Sequence, residues 1–346
     1  MQITRNSNLE LYRILLMIAI VAHHFVVNSG LYPQLMTEPF GGRSMFFCLF
    51  GMWGKTGINC FVLITGYFMC KSEITLRKFL KLLFEVEFYN IVIMLAFLFS
   101  GYYHPSWKEM LMMLFPVRSV SDGFTSCFIV FYLFIPFLSV LVRNLSQYQH
   151  KLLIILALSV YTLLANVLDS KVQCNYVTWF CILFFIASYL RFYGLPILNH
   201  KYVGLVALLL VFISMTSVLL MYAIKGKYFY FFVGNPNFLL PTLTSIFLFL
   251  YFKDLNVPQS KIINTIASST FGVLLIHANS DTMRQWLWGD IVNVLEISKS
   301  SNYLLLSFAS VCIIYVSCVI IDQIRIHVIE TPFFNFYDKY LIKRPL

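Results

Sequence analysis

The chain alternates long apolar runs with short polar or charged segments along almost its whole length. A helix needs about 20 apolar residues to cross a bilayer. The runs of suitable length predict ten transmembrane helices, near residues 10–28, 50–70, 79–100, 124–143, 151–168, 176–196, 202–224, 235–252, 262–282 and 302–322. Because no linker or internal repeat interrupts this pattern, it predicts an all-α, polytopic membrane protein with a single membrane-embedded domain over residues 1–346.

The composition agrees with this class and excludes two others. Hydrophobic residues make up 60% of the chain and charged residues 12%, whereas a soluble domain carries roughly 25% charged residues. A soluble enzyme is therefore excluded. The 35 Phe, 21 Tyr and 5 Trp also exclude an intrinsically disordered chain, which is poor in aromatic residues.

The basic residues predict the orientation of the chain in the membrane. The formal net charge is +10, but the lysines and arginines are scattered between apolar runs, so we expect a lipid bilayer and no nucleic acid as partner. Short cytoplasmic loops are rich in Lys and Arg. With the N-terminus inside, sixteen of the 25 lysines and arginines fall on the inner side. We therefore predict that both termini are cytoplasmic.

Neither a removable leader nor a metal site is expected from the sequence. The first apolar run contains Arg13, His23 and His24 and lacks a small-residue cleavage site, so we expect it to remain as the first span. The eight cysteines show no spacing typical of zinc ligands or of a disulfide framework.

The first span also carries the strongest candidates for chemistry. On an α-helix, Glu10 and Arg13 are spaced to pair, and the eleven positions from Arg13 to His24 place both on one face, with a rise of about 16 Å. His23 is rotated by about 100° from His24 and is predicted to point elsewhere. Ionisable groups in a membrane usually face the protein interior, and a histidine can take or give a proton near neutral pH. The alternative is that Glu10 and Arg13 only anchor the helix at the inner interface, while His24 makes a buried hydrogen bond.

Glu10-x-x-Arg13-x10-His24 resembles the signature of membrane acyltransferase family 3, a family of bacterial O-acyltransferases that modify cell-surface glycans. Other stretches resemble the family in chain order, namely residues 57–69, the basic loop 76–81, Tyr132 with Pro136-Phe137, residues 269–277 and Glu330-Thr331-Pro332-Phe333.

This resemblance implies transfer of an acyl group, most often acetyl, from cytoplasmic acyl-coenzyme A to a hydroxyl of a surface polysaccharide, such as a capsule or exopolysaccharide, or of its lipid-linked precursor. It also implies a multi-pass protein of the bacterial cell membrane. Arg77, Lys78 and Lys81 form a positive cluster suited to the phosphates of coenzyme A. The alternative for this cluster is that it only sets the topology.

The resemblance leaves the mechanism open. His24 is expected either to act as general base for the acceptor hydroxyl or to carry the acyl group covalently. Arg13 is expected either to orient coenzyme A or to hold Glu10, and all three residues are expected to belong to the catalytic site. The acceptor glycan is expected to contact polar side chains of the middle and ninth spans, Tyr132, His277, Asn279 and Asp281.

Other features of the sequence allow further interpretations. Glu85 and Glu87 are costly in lipid and are expected to pair with Arg77 or Lys81. The segment 103–123 reads as an interfacial amphipathic helix or as a lid over an acceptor groove. A flippase or transporter of lipid-linked sugars and a glycan polymerase remain competing functions. The oligomeric state is not encoded in any recognisable pattern.

Overall fold

The computed structural model describes residues 6–117, 120, 123–165, 172, 174–195 and 200–342, and this part of the chain is helical with no β-strand. Its α-helices are α1 Ser7–Val27, α2 Leu31–Leu35, α3 Gly42–Gly51, α4 Gly54–Met69, α5 Leu76–Ser100, α6 Trp107–Met113, α7 Phe124–Asn144, α8 Gln147–Leu158, α9 Tyr176–Phe192, α10 His200–Lys225, α11 Leu239–Lys253, α12 Lys261–Ser268, α13 Thr270–His277, α14 Asp281–Arg284, α15 Val294–Lys299, α16 Tyr303–Ile324 and α17 Thr331–Tyr337. Short π-helical segments, Ser159–Leu164, Gln285–Ile291, Arg325–Glu330 and Asp338–Ile342, extend α8, α14, α16 and α17.

The helices agree with a multi-pass membrane protein. Six helical stretches among the described residues are long and apolar enough to cross a membrane, or seven if one bent pair is a single span. Each of the ten predicted segments contains a helix, but α9 and α11 have only 17 and 15 residues, and the end of the fifth segment, 166–168, lies outside the described residues. The total of ten spans and the side of the termini therefore stay predictions.

Helix α1 lies at the centre of the bundle. It packs against α3, α4, α11, α12, α13 and α16. Its residues contribute to both apolar clusters of the core, with Tyr12 and Leu16 in one and Val21 and Phe25 in the other. Since these side chains are almost completely buried, the first span is held from several sides and its polar residues are fixed within the protein.

The outer helices instead present apolar side chains outward. On α10, Leu205, Leu208, Leu209 and Phe212 are all exposed. Their spacing of i, i+3, i+4 and i+7 puts them on one helical face. An exposed apolar stripe of this kind suits contact with lipid.

Three breaks in the helices shape the interior. Helices α3 and α4 are separated at Met52 and Trp53, and α12 and α13 are separated at Ser269. The stretch Lys261–His277 is then followed, after a bend of 96°, by Asp281–Ile291. The predicted ninth span is therefore not one straight helix, and its bend brings polar residues to the end of a cavity beside α1.

Candidate active site

A cavity of about 650 Å³ lies beside α1. Its walls come from α1, α4, α5, α9, α13, α14 and the residues that precede and begin α7. The lining includes Met17, Ile20, His23, His24, Lys55, Ile58, Phe61, Asn90, Tyr176, Phe271, Asn279, Asp281 and Arg284. Both histidines of the first span therefore reach the same space.

His24 is held by a second histidine. Its Nδ1 lies 2.9 Å from Nε2 of His277, and Nδ1 of His277 lies 2.6 Å from the carbonyl oxygen of Val273. His277 is completely buried and does not line the cavity, whereas His24 is partly exposed and does. The predicted acceptor-binding residue His277 thus lies behind His24 rather than beside an acceptor.

The prediction that His23 points elsewhere is wrong. Its Nδ1 lies 2.5 Å from the carbonyl oxygen of Gly51, and its ring packs against Gly54, where an added Cβ would overlap it. The helical rotation of about 100° is correct, but the cavity extends around α1 towards the first turn of α4 and so includes both rings.

On the Arg13 side of His24, the cavity wall is apolar. Ile20 and Met17 lie one and two turns before His24 in α1. Helix α4 runs antiparallel to α1, since Gly54 contacts His23 and Gly57 contacts Ile20.

The packing of α4 and α13 against α1 brings further apolar side chains to this same part. Ile58 and Phe61 of α4 and Phe271 of α13 line the cavity, and each lies on the Arg13 side of its own helix relative to the histidines. The space between His24 and the predicted inner side is therefore suited to an apolar group.

The opposite part of the cavity is polar. Nζ of Lys55 donates to the hydroxyl of Tyr176 at 2.8 Å, and Arg284 pairs with Asp281 at 2.8 Å. Nδ2 of Asn279 donates to Oδ1 of Asn90 at 3.2 Å. These groups can bind hydroxyl and anionic groups of a polar ligand.

Asn279 and Asp281 are the two of these polar lining residues that the sequence predicts to bind the acceptor. Both line the cavity, and their binding of an acceptor stays a prediction. The only sequence feature that points to Arg284 is its i+3 spacing from Asp281. No sequence pattern indicates that Tyr176 lines the cavity. Tyr132 does not line the cavity; it packs among aromatic rings, 6.4 Å from those of Phe79 and Phe128 between centroids.

Glu10 and Arg13 pair as their spacing predicts. Nη1 of Arg13 lies 3.4 Å from Oε2 of Glu10. Glu10 is buried and Arg13 partly exposed. Neither lines the cavity, and the helical rise puts Arg13 about 16 Å from His24.

Two of the three basic residues of α5 form ion pairs with carboxylates that follow α16. Arg77 donates through Nε and Nη2 to both carboxylate oxygens of Asp338 at 2.7 and 2.8 Å. Lys81 pairs with Glu330 at 2.7 Å, and Lys78 donates to the carbonyl oxygen of Glu73. A phosphate group would therefore meet partly neutralised cations here.

The predicted partners of Glu85 and Glu87 are wrong. Glu85 pairs with Arg325 at 3.1 Å, and within the described part of the chain Glu87 forms no ion pair. Arg325 lies in the π-helical segment after α16, and its guanidinium also binds Asp322 at 2.8 Å and Glu330 at 2.5 Å. A buried arginine with three carboxylates holds α5 and α16 together.

The segment around α6 has exposed apolar side chains and also contributes residues to the cavity, so both of its predicted interpretations stay open. Helix α6 exposes Trp107 and Leu111, as an interfacial helix would. The residues that follow it, Phe115 and Pro116, line the cavity. Part of the predicted segment, residues 118–119 and 121–122, lies outside the described residues.

Comparison with known families gives one match. The model of the acyltransferase domain of acyltransferase family 3 matches residues 6–322. No curated protein and no solved structure matches the chain. The match runs from α1 into the last turn of α16 and therefore includes every residue that lines the cavity.

Proposed function

The chain belongs to acyltransferase family 3 and is an acyltransferase enzyme, and we propose that it transfers an acetyl group from acetyl-coenzyme A to a hydroxyl of a bacterial cell-surface glycan or its lipid-linked precursor. The observation that carries this proposal is the position of His24 between an apolar and a polar part of one cavity. A thioester suits the apolar part, which lies towards the predicted cytoplasmic side. A sugar suits the polar part, which contains Lys55, Asn279 and Asp281.

His24 is proposed as the general base of a direct transfer. It takes the proton of the acceptor hydroxyl while the hydroxyl oxygen attacks the thioester carbonyl. Collapse of the tetrahedral intermediate breaks the carbon–sulfur bond. The proton then passes from the imidazolium to the sulfur, so that coenzyme A leaves as a thiol and the glycan as an ester.

The donor is proposed to enter from the side of Arg13 and Arg77. Arg77 uses Nε and Nη2 for Asp338, which leaves Nη1 for a phosphate oxygen, and its side chain is 40% exposed. Among the described residues, the side-chain ammonium of Lys78 has only the backbone carbonyl of Glu73 as a partner. These two cations are therefore the best placed of the predicted cluster to bind the phosphates of coenzyme A, whereas Lys81 is committed to Glu330.

The experiment that tests this function compares surface glycans from a deletion strain complemented with wild type, His24→Ala or the control His104→Ala. His104 is exposed and does not line the cavity. Proton NMR before and after mild alkali reports ester-linked acetyl groups. We expect an alkali-labile acetyl signal with wild type and His104→Ala and none with His24→Ala. Unchanged acetylation in the deletion strain, with a loss of glycan amount or length, would instead favour export or polymerisation.

A further inference from the structure

His24 and His277 form a hydrogen-bonded chain that ends on a backbone carbonyl. Nδ1 of His24 meets Nε2 of His277, and Nδ1 of His277 meets the carbonyl oxygen of Val273, one turn earlier in α13. Trp288, also completely buried, packs edge-on against the His277 ring at 6.3 Å between centroids. The second imidazole is therefore fixed in place by a hydrogen bond and by packing.

The carbonyl determines where His277 carries its proton. A carbonyl oxygen only accepts hydrogen bonds, so Nδ1 of His277 must be the donor. A second proton on Nε2 would create a buried imidazolium, and no carboxylate in the described part of the chain pairs with His277. Because such an uncompensated charge is costly in a membrane interior, Nε2 of His277 is an unprotonated acceptor.

We infer that His277 is a positioning residue that holds His24 in one tautomer, with the proton on Nδ1 and a free lone pair on Nε2. This inference rests on the proposed function of His24. The acceptor nitrogen of His277 requires a donor, and in the described part of the chain only Nδ1 of His24 is within reach. Among the described residues, Nε2 of His24 has no hydrogen-bond partner, and the ring lines the cavity. The basic nitrogen is thus the one that an acceptor hydroxyl can reach.

This arrangement resembles a catalytic triad in its logic, but the orienting group is neutral. When Nε2 of His24 takes the acceptor proton, the resulting imidazolium keeps donating through Nδ1 to His277. His277 neither gains nor loses a proton in this step. Nε2 of His24 then returns its proton to the leaving sulfur, and the original tautomer is restored without rotation of the ring.

The test compares His277→Gln with His277→Leu in full-length protein reconstituted in lipid nanodiscs. The amide oxygen of Gln can accept the proton of His24 Nδ1, whereas Leu fills the space without an acceptor. Coenzyme A release from acetyl-coenzyme A is measured with glycan from the deletion strain as acceptor. We expect Leu to lower kcat roughly 100-fold or more with little change in the KM for acetyl-coenzyme A, and Gln to retain activity within about tenfold.

Three outcomes separate this inference from the proposed function. If His24→Ala keeps full transfer, the proposed function of His24 fails. If His24→Ala is inactive but His277→Leu is fully active, only the inference about His277 fails. If Gln and Leu lose activity equally, His277 has a merely structural role and the inference is overturned.

A second measurement does not depend on whether the His277 variants fold. Nitrogen-15 solid-state NMR of histidine-labelled wild-type protein reports the protonation of each ring nitrogen, and a His24→Gln sample identifies the His24 signals. We expect an unprotonated Nε2 and a protonated Nδ1 at His24. A protonated Nε2 in the resting protein would overturn the inference.

Discussion

Gly272 of α13 lies directly against the carboxylate of Asp322 on α16, so that a Cβ at position 272 would overlap the aspartate oxygens. The same carboxylate accepts from the hydroxyl of Tyr89 at 2.7 Å and binds Arg325. Helix α13 also carries His277. The contact between Gly272 and Asp322 therefore sets how closely the helix that carries His277 approaches the ion-pair network.

Gly272→Ala is expected to destabilise the protein, because the new methyl group must displace a buried, hydrogen-bonded carboxylate. Overpacking of this kind costs about 1–3 kcal/mol. Thermal unfolding in detergent, followed by tryptophan fluorescence, should show a lower midpoint. Gly42→Ala is the matched control, since nothing lies within 4 Å of a Cβ at that position. Equal midpoints for the two variants would contradict the close contact.

Arg325→Met is expected to be severely destabilising. It leaves Glu85, Asp322 and Glu330 without their shared cation in a buried site, and removal of one partner of a buried ion pair costs about 3–5 kcal/mol. The yield of monodisperse protein and its thermal midpoint are the measurements.

The control for Arg325 is an exposed ion pair. Lys299 and Glu296 also pair, at 3.0 Å, but their side chains are 59% and 65% exposed. Lys299→Met should leave the midpoint unchanged, because exposed ion pairs contribute little. If Arg325→Met lowers the thermal midpoint no more than Lys299→Met does, the ion-pair network is unimportant for folding.

The sequence predicted the local features of the site well and its long-range contacts poorly. The pairing of Glu10 with Arg13 follows from helix geometry over one turn, and the structure confirms it. The contact between His24 and His277 joins residues 253 positions apart, and that of Glu85 with Arg325 joins two different helices. No periodicity within one helix encodes such contacts.

The cavity also cannot be predicted from single helices, because several helices form its walls. His23 was placed away from the site because a helical wheel assigns each residue one direction. The cavity contacts two sides of α1, since Gly54 leaves room for the His23 ring at the start of α4. The bend after His277 likewise depends on how α13 and α14 pack, which an apolar run from 262 to 282 does not reveal.

Lys55→Met is expected to weaken binding of the acceptor glycan. Lys55 lines the polar part of the cavity and contacts Tyr176, so its loss should raise the KM for the glycan roughly tenfold, equivalent to about 1.4 kcal/mol. The KM for acetyl-coenzyme A should change little. Steady-state kinetics with each substrate varied in turn provide the measurement.

Tyr176→Phe tests whether Lys55 binds the glycan directly or acts through its hydrogen bond to the Tyr176 hydroxyl. It removes the hydroxyl that accepts from Lys55 but keeps the aromatic ring, whose face lies 5.5 Å from Nζ. If Lys55 binds the glycan directly, this variant should retain most acceptor affinity. A rise in the KM for acetyl-coenzyme A in Lys55→Met would contradict a place for Lys55 on the acceptor side.

Arg77→Gln is expected to raise the KM for acetyl-coenzyme A roughly tenfold and to leave the KM for S-acetylpantetheine unchanged, because the shorter donor has no nucleotide phosphates. Lys151→Gln, which removes an exposed cation of α8, is the charge-matched control. Since Asp338 competes for the same guanidinium, Asp338→Asn should leave the KM for acetyl-coenzyme A equal or lower it. If Arg77→Gln raises the KM for both donors equally, Arg77 acts through the structure of α5 and not through a phosphate.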